Sequence, residues 1–437
     1  MPGVPALVQL LVIFSLVVIA TVLKVHLGLA AAAGGIVLAL WSGLEIPAIL
    51  GVVTGEIFKA DTLLLLALMA GILAFASTMK KSGAMETFAK AVGEIAPSKR
   101  IAMAIAPLLI GTLPMPGGAV LSAPLVEAMD SDHEHSSGTL SAANYWFRHT
   151  LELTWPLYPA FLITTSLSGV SVMRLMTLNA YVVPVIFTLG LIFILPPSRN
   201  KTELPVKPRK NASFPRRLGS FIAGVAPLAL VIGTYVCFDL AWKTVSPSTG
   251  LPDSTNNLIE RYLPIFLGLI AGSLFIGLGA GGFKSFHGSL SIATAKLIAM
   301  VLGIRIFSVL IGAAGLAVGA ATELSLAGIP PVAAVAIIPL IAGLVTGVGY
   351  GYVGLAFPIA LGLVPEGGAF PREAGVVLAC AFGYAGMMLS PFHVCMVVSA
   401  AHFKTGLPAT IRRFALPLAI FMVIAVIYTA VLASVLA

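Results

Sequence analysis

Apolar runs of spanning length alternate with short polar joints along nearly the whole chain. A helix needs about 20 apolar residues to cross a bilayer. The pattern predicts such helices at about 5–23, 28–53, 61–79, 176–196, 218–240, 262–281, 289–309 and 410–435. Gly34, Gly35 and Pro47 loosen the second of these. No basic residues precede the run at 5–23, which is long enough to span, so it reads as a first transmembrane helix and not a cleaved signal.

Two stretches break the pattern in the same way. The first, PLLIGTLPMPGGAVLSAPLVE, runs from Pro107 to Glu127. Pro114, Pro116 and Pro124 remove backbone donors, and Gly117-Gly118 invites a turn. In lipid, broken backbone survives only inside protein or beside a watery cavity. The reading is a re-entrant hairpin at about 101–128, with its tip at Pro116–Gly118. The second stretch, from Pro339 to Leu361, predicts a hairpin at about 332–362. A proline-broken helix follows each hairpin, at about 139–168 (Trp155-Pro156) and about 374–403 (Ser390-Pro391). Pro124 and Pro156 lie 32 residues apart, and Pro358 and Pro391 lie 33 apart. Paired Gly/Pro-broken apolar segments mark the binding site of a secondary transporter. The chain thus divides into a first repeat, 1–196, a basic linker, 197–217, and a second, inverted repeat, 218–437. An amphipathic piece at 84–95 precedes the first hairpin, and Gly312–Pro331 takes its place before the second.

Composition settles the class. The chain is 59% hydrophobic and 10% charged, with a mean hydropathy of +1.04. Soluble domains carry roughly 25% charge. The fold class is an all-α polytopic membrane protein, with no room for a large soluble domain. The net charge of +8 comes from basic residues between apolar runs and is no sign of nucleic-acid binding. It reports orientation instead. With the 80–100 loop and the linker cytoplasmic, both termini lie outside and the hairpins enter from opposite sides. The three cysteines, Cys237, Cys380 and Cys395, lie in apolar segments without disulfide or metal spacing and read as packing.

The candidate chemistry gathers where hairpin tips meet helix breaks. Helix N-termini there favour anions, and unwound carbonyls favour Na⁺. The substrate-binding candidates are Pro116, Gly117, Gly118 and Ser122 in the first hairpin, and Thr346, Gly347, Gly349, Tyr350 and Gly351 in the second. Asn144 and Arg148 before the first break join them, as does Ser390 at the second. Arg148 and Glu152, spaced i,i+4, form either a structural ion pair or a working pair. In the second case Arg148 holds a substrate carboxylate and Glu152 carries a proton. His393, beside the second break, is the other proton-coupling candidate. Tyr158 is a further polar candidate. Lys296 and Arg305 read as packing or interface anchors, and the loop 130–138, with Asp132, His133, Glu134 and His135, as solvated. No nucleophile–base set or HExxH motif points to an enzyme. His149 and Glu152, at i,i+3, lack a further metal ligand nearby in sequence. No cofactor or resident metal is expected, apart from Na⁺ as an alternative coupling ion.

The segments PMPGGAVLSAP (114–124), NYWFRH (144–149), WPLYP (155–159) and LSPFHVC (389–395) resemble a prokaryotic membrane family, domain of unknown function 401. It lies within the ion transporter superfamily of citrate, gluconate and dicarboxylate carriers. The resemblance covers most of the chain. It implies an elevator-type carrier of the inner membrane and a homodimer, with a scaffold of outer helices around a moving unit of hairpins and broken helices. Neither hairpin tip carries the Ser-Asn-Thr of the sodium-dicarboxylate branch, so that branch's sodium sites and substrate do not carry over. The expected function is a secondary active transporter of a small organic anion, a carboxylate or sugar acid, coupled to H⁺ or Na⁺. A cation/proton antiporter on the same fold is the alternative. The expected partners are the anionic solute and the lipid bilayer.

Overall fold

In hydrocarbon a backbone must satisfy its N–H and C=O groups within its own segment, which makes apolar runs helical. The computed structural model describes residues 4–84, 98–114, 118–130, 134–197, 214–279, 282–365, 367–368 and 370–437. Among the described residues there is no strand. Pro116, Gly117, nearly all of the amphipathic piece at 84–95, Asp132, His133 and most of the basic linker lie outside the described residues.

The first part of the chain forms α1 (Ala6–Val22), α2 (Leu27–Trp41), α3 (Ile46–Ile57) and α4 (Ala60–Lys81). A helix pair follows, α5 (Lys99–Gly111) and α6 (Ala119–Met129). Next come α7 (Ser137–Arg148), α8 (Pro159–Ser168), α9 (Val172–Leu178) and α10 (Val182–Leu189). The second part opens with α11 (Phe214–Val245), α12 (Asp253–Leu278), α13 (Ile292–Ala313) and α14 (Leu316–Leu326). It continues with a second helix pair, α15 (Pro331–Thr346) and α16 (Gly349–Leu363). The chain ends in α17 (Arg372–Leu389), α18 (Val394–His402) and α19 (Leu407–Leu436). Among the described residues six helical stretches are long and apolar enough to cross a membrane, or eight if two bent pairs each count as one span. The chain is an all-α polytopic membrane protein.

Three expected elements differ in detail. The run 28–53 is two helices, because Gly43 turns the chain at φ +94° and Pro47 starts α3. The run 176–196 is reached through α9, bent 107° from α8. It closes in a π turn, Gly190–Ile194, beside Trp146, whose Nε1 donates to the Ile186 carbonyl at 2.9 Å. A side chain inserted into the helical ladder is one cause of such a turn. The stretch 312–331, expected to take the place of the amphipathic piece, holds α14 with Leu316, Ala317, Ala320 and Leu324 buried. Glu323 of α14 accepts from the first amides of α1, Ala6 at 2.7 Å and Leu7 at 2.9 Å. That satisfies donors which a helix leaves open at its start.

Packing sorts the helices. α2 lies on α13, α11 on α12, and α12 on α4. α15 lies on α17 so closely that a β-carbon on Gly386 would sit 2.0 Å from the Leu340 carbonyl oxygen. Small residues permit this backbone approach in membranes. α7, α8, α16 and α17 are buried along most of their length.

A buried ionic cluster ties α3, α4, α12 and α13 to α8. Arg305 meets Glu56 at 2.6 Å and Asp61 at 2.9 Å. Its Nη1 donates to Ser166 at 2.8 Å, and its Nε to Thr62 at 3.2 Å. Arg261 reaches Asp61 at 2.8 Å, and the Tyr262 hydroxyl donates to the same oxygen at 2.9 Å. Each acid has a cation and a neutral donor, as buried charge requires. Arg305→Ala would leave Glu56 buried without a cation and Asp61 with Arg261 alone. We expect it to lower stability by about 3–5 kcal/mol, read as a fall in melting temperature in detergent. The exposed Lys296→Ala should stay within about 0.5 kcal/mol of wild type.

Candidate functional site

Two helices stop and restart inside the protein. α7 begins at Ser136, whose side chain accepts from the Thr139 amide at 3.2 Å. It ends at Arg148, and residues 149–158 form turns, with Glu152 N to His149 O at 3.2 Å and Trp155 N to Leu151 O at 2.9 Å. Pro156 and Pro159 have no N–H to continue the ladder, and Pro159 sits in the first turn of α8. α17 stops at Leu389 because Ser390 is extended (ψ 124°) and Pro391 follows. The His393 amide then donates to the Ser390 carbonyl at 3.2 Å, and α18 starts at Val394.

Both helix pairs end against these breaks. A β-carbon on Gly118 would sit 2.3 Å from Arg148 Nη2, so the guanidinium lies flat on the start of α6. Arg148 itself is buried, 3% exposed. The Tyr158 hydroxyl donates to the Gly111 carbonyl, capping α5. Gly347 ends α15 at φ +63°, a conformation that suits glycine. A β-carbon there would lie 2.8 Å from Ser390 Oγ and 2.9 Å from the His393 nitrogen. One on Gly349 would lie 2.8 Å from Glu152 Oε1. The second helix pair therefore touches both breaks.

At the crossing the polar side chains form one chain. Glu152 Oε2 and His149 Nδ1 are 2.6 Å apart, and His149 Nε2 and His393 Nε2 are 3.2 Å apart. Tyr145 stacks edge-on with both imidazoles, its ring 5.1 Å and 5.2 Å from theirs. Its hydroxyl donates to the Met388 carbonyl at 3.2 Å, at the end of α17. His149, His393 and Cys395 each place a ligand atom within 4.8 Å of the others, all buried.

The structure brings Gly118, Arg148, Gly347, Gly349, Ser390, Glu152 and His393 together, with Tyr350 half-buried beside Gly349. Other candidates make hydrogen bonds within the protein. Ser122 is directed at its own helix, towards Ala119 O at 3.4 Å. Asn144 donates to Ser399 Oγ at 2.8 Å and Ala119 O at 3.3 Å, joining α7 to α18 and α6. Thr346 bonds back to Ala342 O at 2.7 Å and lies over Gly351. Sequence reasoning gave no central role to His149, Tyr145 or Cys395. The signal was present in LSPFHVC, which sets His393 and Cys395 two residues apart beside a break.

The family model described as Protein of unknown function (DUF401) matches residues 6–245 and 284–432. The chain belongs to that family. Among solved structures it is similar to the YdaH transporter of Alcanivorax borkumensis, with a TM-score of 0.59. The match covers 87% of this chain and 86% of that one at 14% identity, so the likeness is one of fold. No curated protein matches the chain.

Gly347→Ala tests the junction of tip and break. The left-handed conformation alone costs a residue with a β-carbon about 1–2 kcal/mol, and the crowding against Ser390 and His393 adds to it. We expect a lower melting temperature than for Gly55→Ala, a glycine with open space around it.

Proposed function

We propose that this member of the family is a secondary active transporter. It moves a small organic anion, a carboxylate or sugar acid, across the cytoplasmic (inner) membrane, coupled to H⁺ or Na⁺, by an elevator-like alternating-access mechanism. The observation that carries the reading is the meeting of both helix pairs with both helix breaks, deep in the protein. Irregular backbone at such depth is the hallmark of a membrane carrier's binding site.

The roles follow from charge and placement. Arg148, flat against the first tip, supplies a fixed cation for the anionic solute, with the start of α6 adding its amide dipoles. Gly347, Gly349 and Ser390 let the second tip close on the solute from the other half. Glu152, joined to His393 through His149, is the acid beside which a coupling cation sits. The two inverted repeats, 1–196 and 218–437, let the site open to one side at a time. The helix pairs and broken helices move against a scaffold that includes α2, α4 and α11–α13, within a homodimer, and the Ser166 hydrogen bonds to Arg305 and Asp61 break as α8 moves. The linker is cytoplasmic and both termini are outside, as the lysines and arginines favour.

Uptake into proteoliposomes tests this, with a panel of labelled carboxylates and sugar acids and imposed H⁺ or Na⁺ gradients. Arg148→Met should lower uptake of the accepted acid about 10- to 100-fold, the worth of one charged hydrogen-bonded contact. Glu152→Gln should abolish gradient-driven accumulation and leave solute exchange. Unchanged uptake in Arg148→Met would remove that residue from the site. Cation flux without any solute would replace the proposal with a cation/proton antiporter.

A further inference from the structure

The crossing carries a donor set that anion transport does not require. We infer that His149, His393 and Cys395 form a binding site for a d¹⁰ transition-metal cation that takes imidazole and thiolate ligands, Zn²⁺ or Cu⁺. This goes beyond the transport reading and does not depend on the cargo being an anion.

The geometry suits a shared ion. Two nitrogens bonded to one tetrahedral ion at about 2.05 Å lie about 3.3 Å apart, and the two Nε2 atoms are 3.2 Å apart. The donor atoms of all three residues lie within 4.8 Å of one another, close enough for small side-chain shifts to bring them onto one ion. The surroundings prepare the ligands. Glu152 Oε2 lies 2.6 Å from His149 Nδ1 and so orients the ring with Nε2 toward His393. A carboxylate behind a ligating histidine is the usual outer support of a metal site. His393 Nδ1 is buried and has no hydrogen-bond partner among the described residues. The main role this site offers His393 is therefore through Nε2, toward the cluster. Cys395 is a free, buried thiol, and its proton leaves as the metal binds. Imidazole with thiolate suits late soft metals, whereas hard cations take oxygen. Three protein donors leave a fourth position open, as in sites that exchange a ligand.

The ligands also explain their own placement. His149 belongs to the first break, and His393 and Cys395 to the second, 244 residues on for the histidine pair. One ion would pin the two halves of the crossing to each other. A cation held there is held by both repeats at once.

The test uses the purified full-length protein, reduced and stripped of metal, titrated with Co²⁺ as a spectroscopic probe and then with Zn²⁺. A thiolate ligand gives an intense near-ultraviolet charge-transfer band. We expect that band to saturate at one equivalent of Co²⁺ and to vanish when Zn²⁺ displaces it. Cys395→Ser should lose the band, while Cys237→Ser, at the exposed cysteine, keeps it. Glu152→Gln should bind about 10- to 100-fold more weakly, the effect of losing such a support. If Cys395→Ser does not stay monodisperse, His393→Gln is read in the same way. A monodisperse wild type without the band overturns the inference, and so does a band that survives Cys395→Ser or depends on Cys237. Transport plays no part in the readout. A missing band with uptake intact removes the metal site alone, and a band without anion uptake removes the transport reading alone.

Discussion

A peptide group without a hydrogen-bond partner cannot face lipid, and the centre of this protein is arranged around that fact. Two helices break, at 149–158 and 390–393, and each break leaves carbonyls and amides that only protein can satisfy. Side chains beside the first break satisfy carbonyls at the ends of the helices they meet. The Tyr158 hydroxyl, in the first break, caps the Gly111 carbonyl of the first helix pair. The Tyr145 hydroxyl, just before that break, caps Met388 at the end of α17. The helix pairs in turn cover the breaks with glycine, where any β-carbon would collide. Satisfying the broken backbone therefore forces the two halves together.

Two clusters of buried charge show the difference between holding a structure and offering a site. Around Arg305 every acid is matched. Glu56 and Asp61 meet two guanidiniums, with hydroxyls from Thr62, Ser166 and Tyr262 filling the remaining positions. Such a cluster gains nothing from a ligand. At the crossing, by contrast, Asn144 Oδ1, Thr150 Oγ1, Trp155 Nε1 and His393 Nδ1 are buried with no hydrogen-bond partner among the described residues, as are scattered atoms elsewhere such as Gln9 Oε1 and Thr429 Oγ1. Buried polar atoms are normally paired, so a group of unpaired ones calls for an explanation. Capacity left over in a polar network is what a solute or ion uses.

Much of this was legible in the sequence because proline and glycine act locally. Pro156, Pro159 and Pro391 lack the N–H a helix needs, so their position fixes where the ladder stops, whatever surrounds it. Gly347 likewise marks the end of α15 through its own backbone angle. The same local logic missed the division of the run 28–53, because Gly43 was not distinguished from the glycines inside helices. Side-chain partners were less legible, since they depend on which elements meet. The i,i+4 spacing of Arg148 and Glu152 made an ion pair a fair expectation. The chain instead unwinds at His149, and i,i+4 neighbours face each other only on a continuous helix. Glu152 then bonds His149, and Arg148 lies against Gly118. His149 itself lacked a further ligand in sequence because His393 and Cys395 come from the other half of the chain.

That unwinding has a consequence for the proposed transport. On an intact helix Arg148 and Glu152 would neutralise one another, and the centre would offer no net field to a solute. With the helix broken between them, the cation lies on the tip of the first helix pair and the acid lies under Gly349 of the second. Opposite charges held apart in a medium of low dielectric attract their own counterions strongly. An anion beside Arg148 and a cation beside Glu152 would each lower the cost of the other. In the proposed transporter, coupling of two species would then follow from electrostatics at one break.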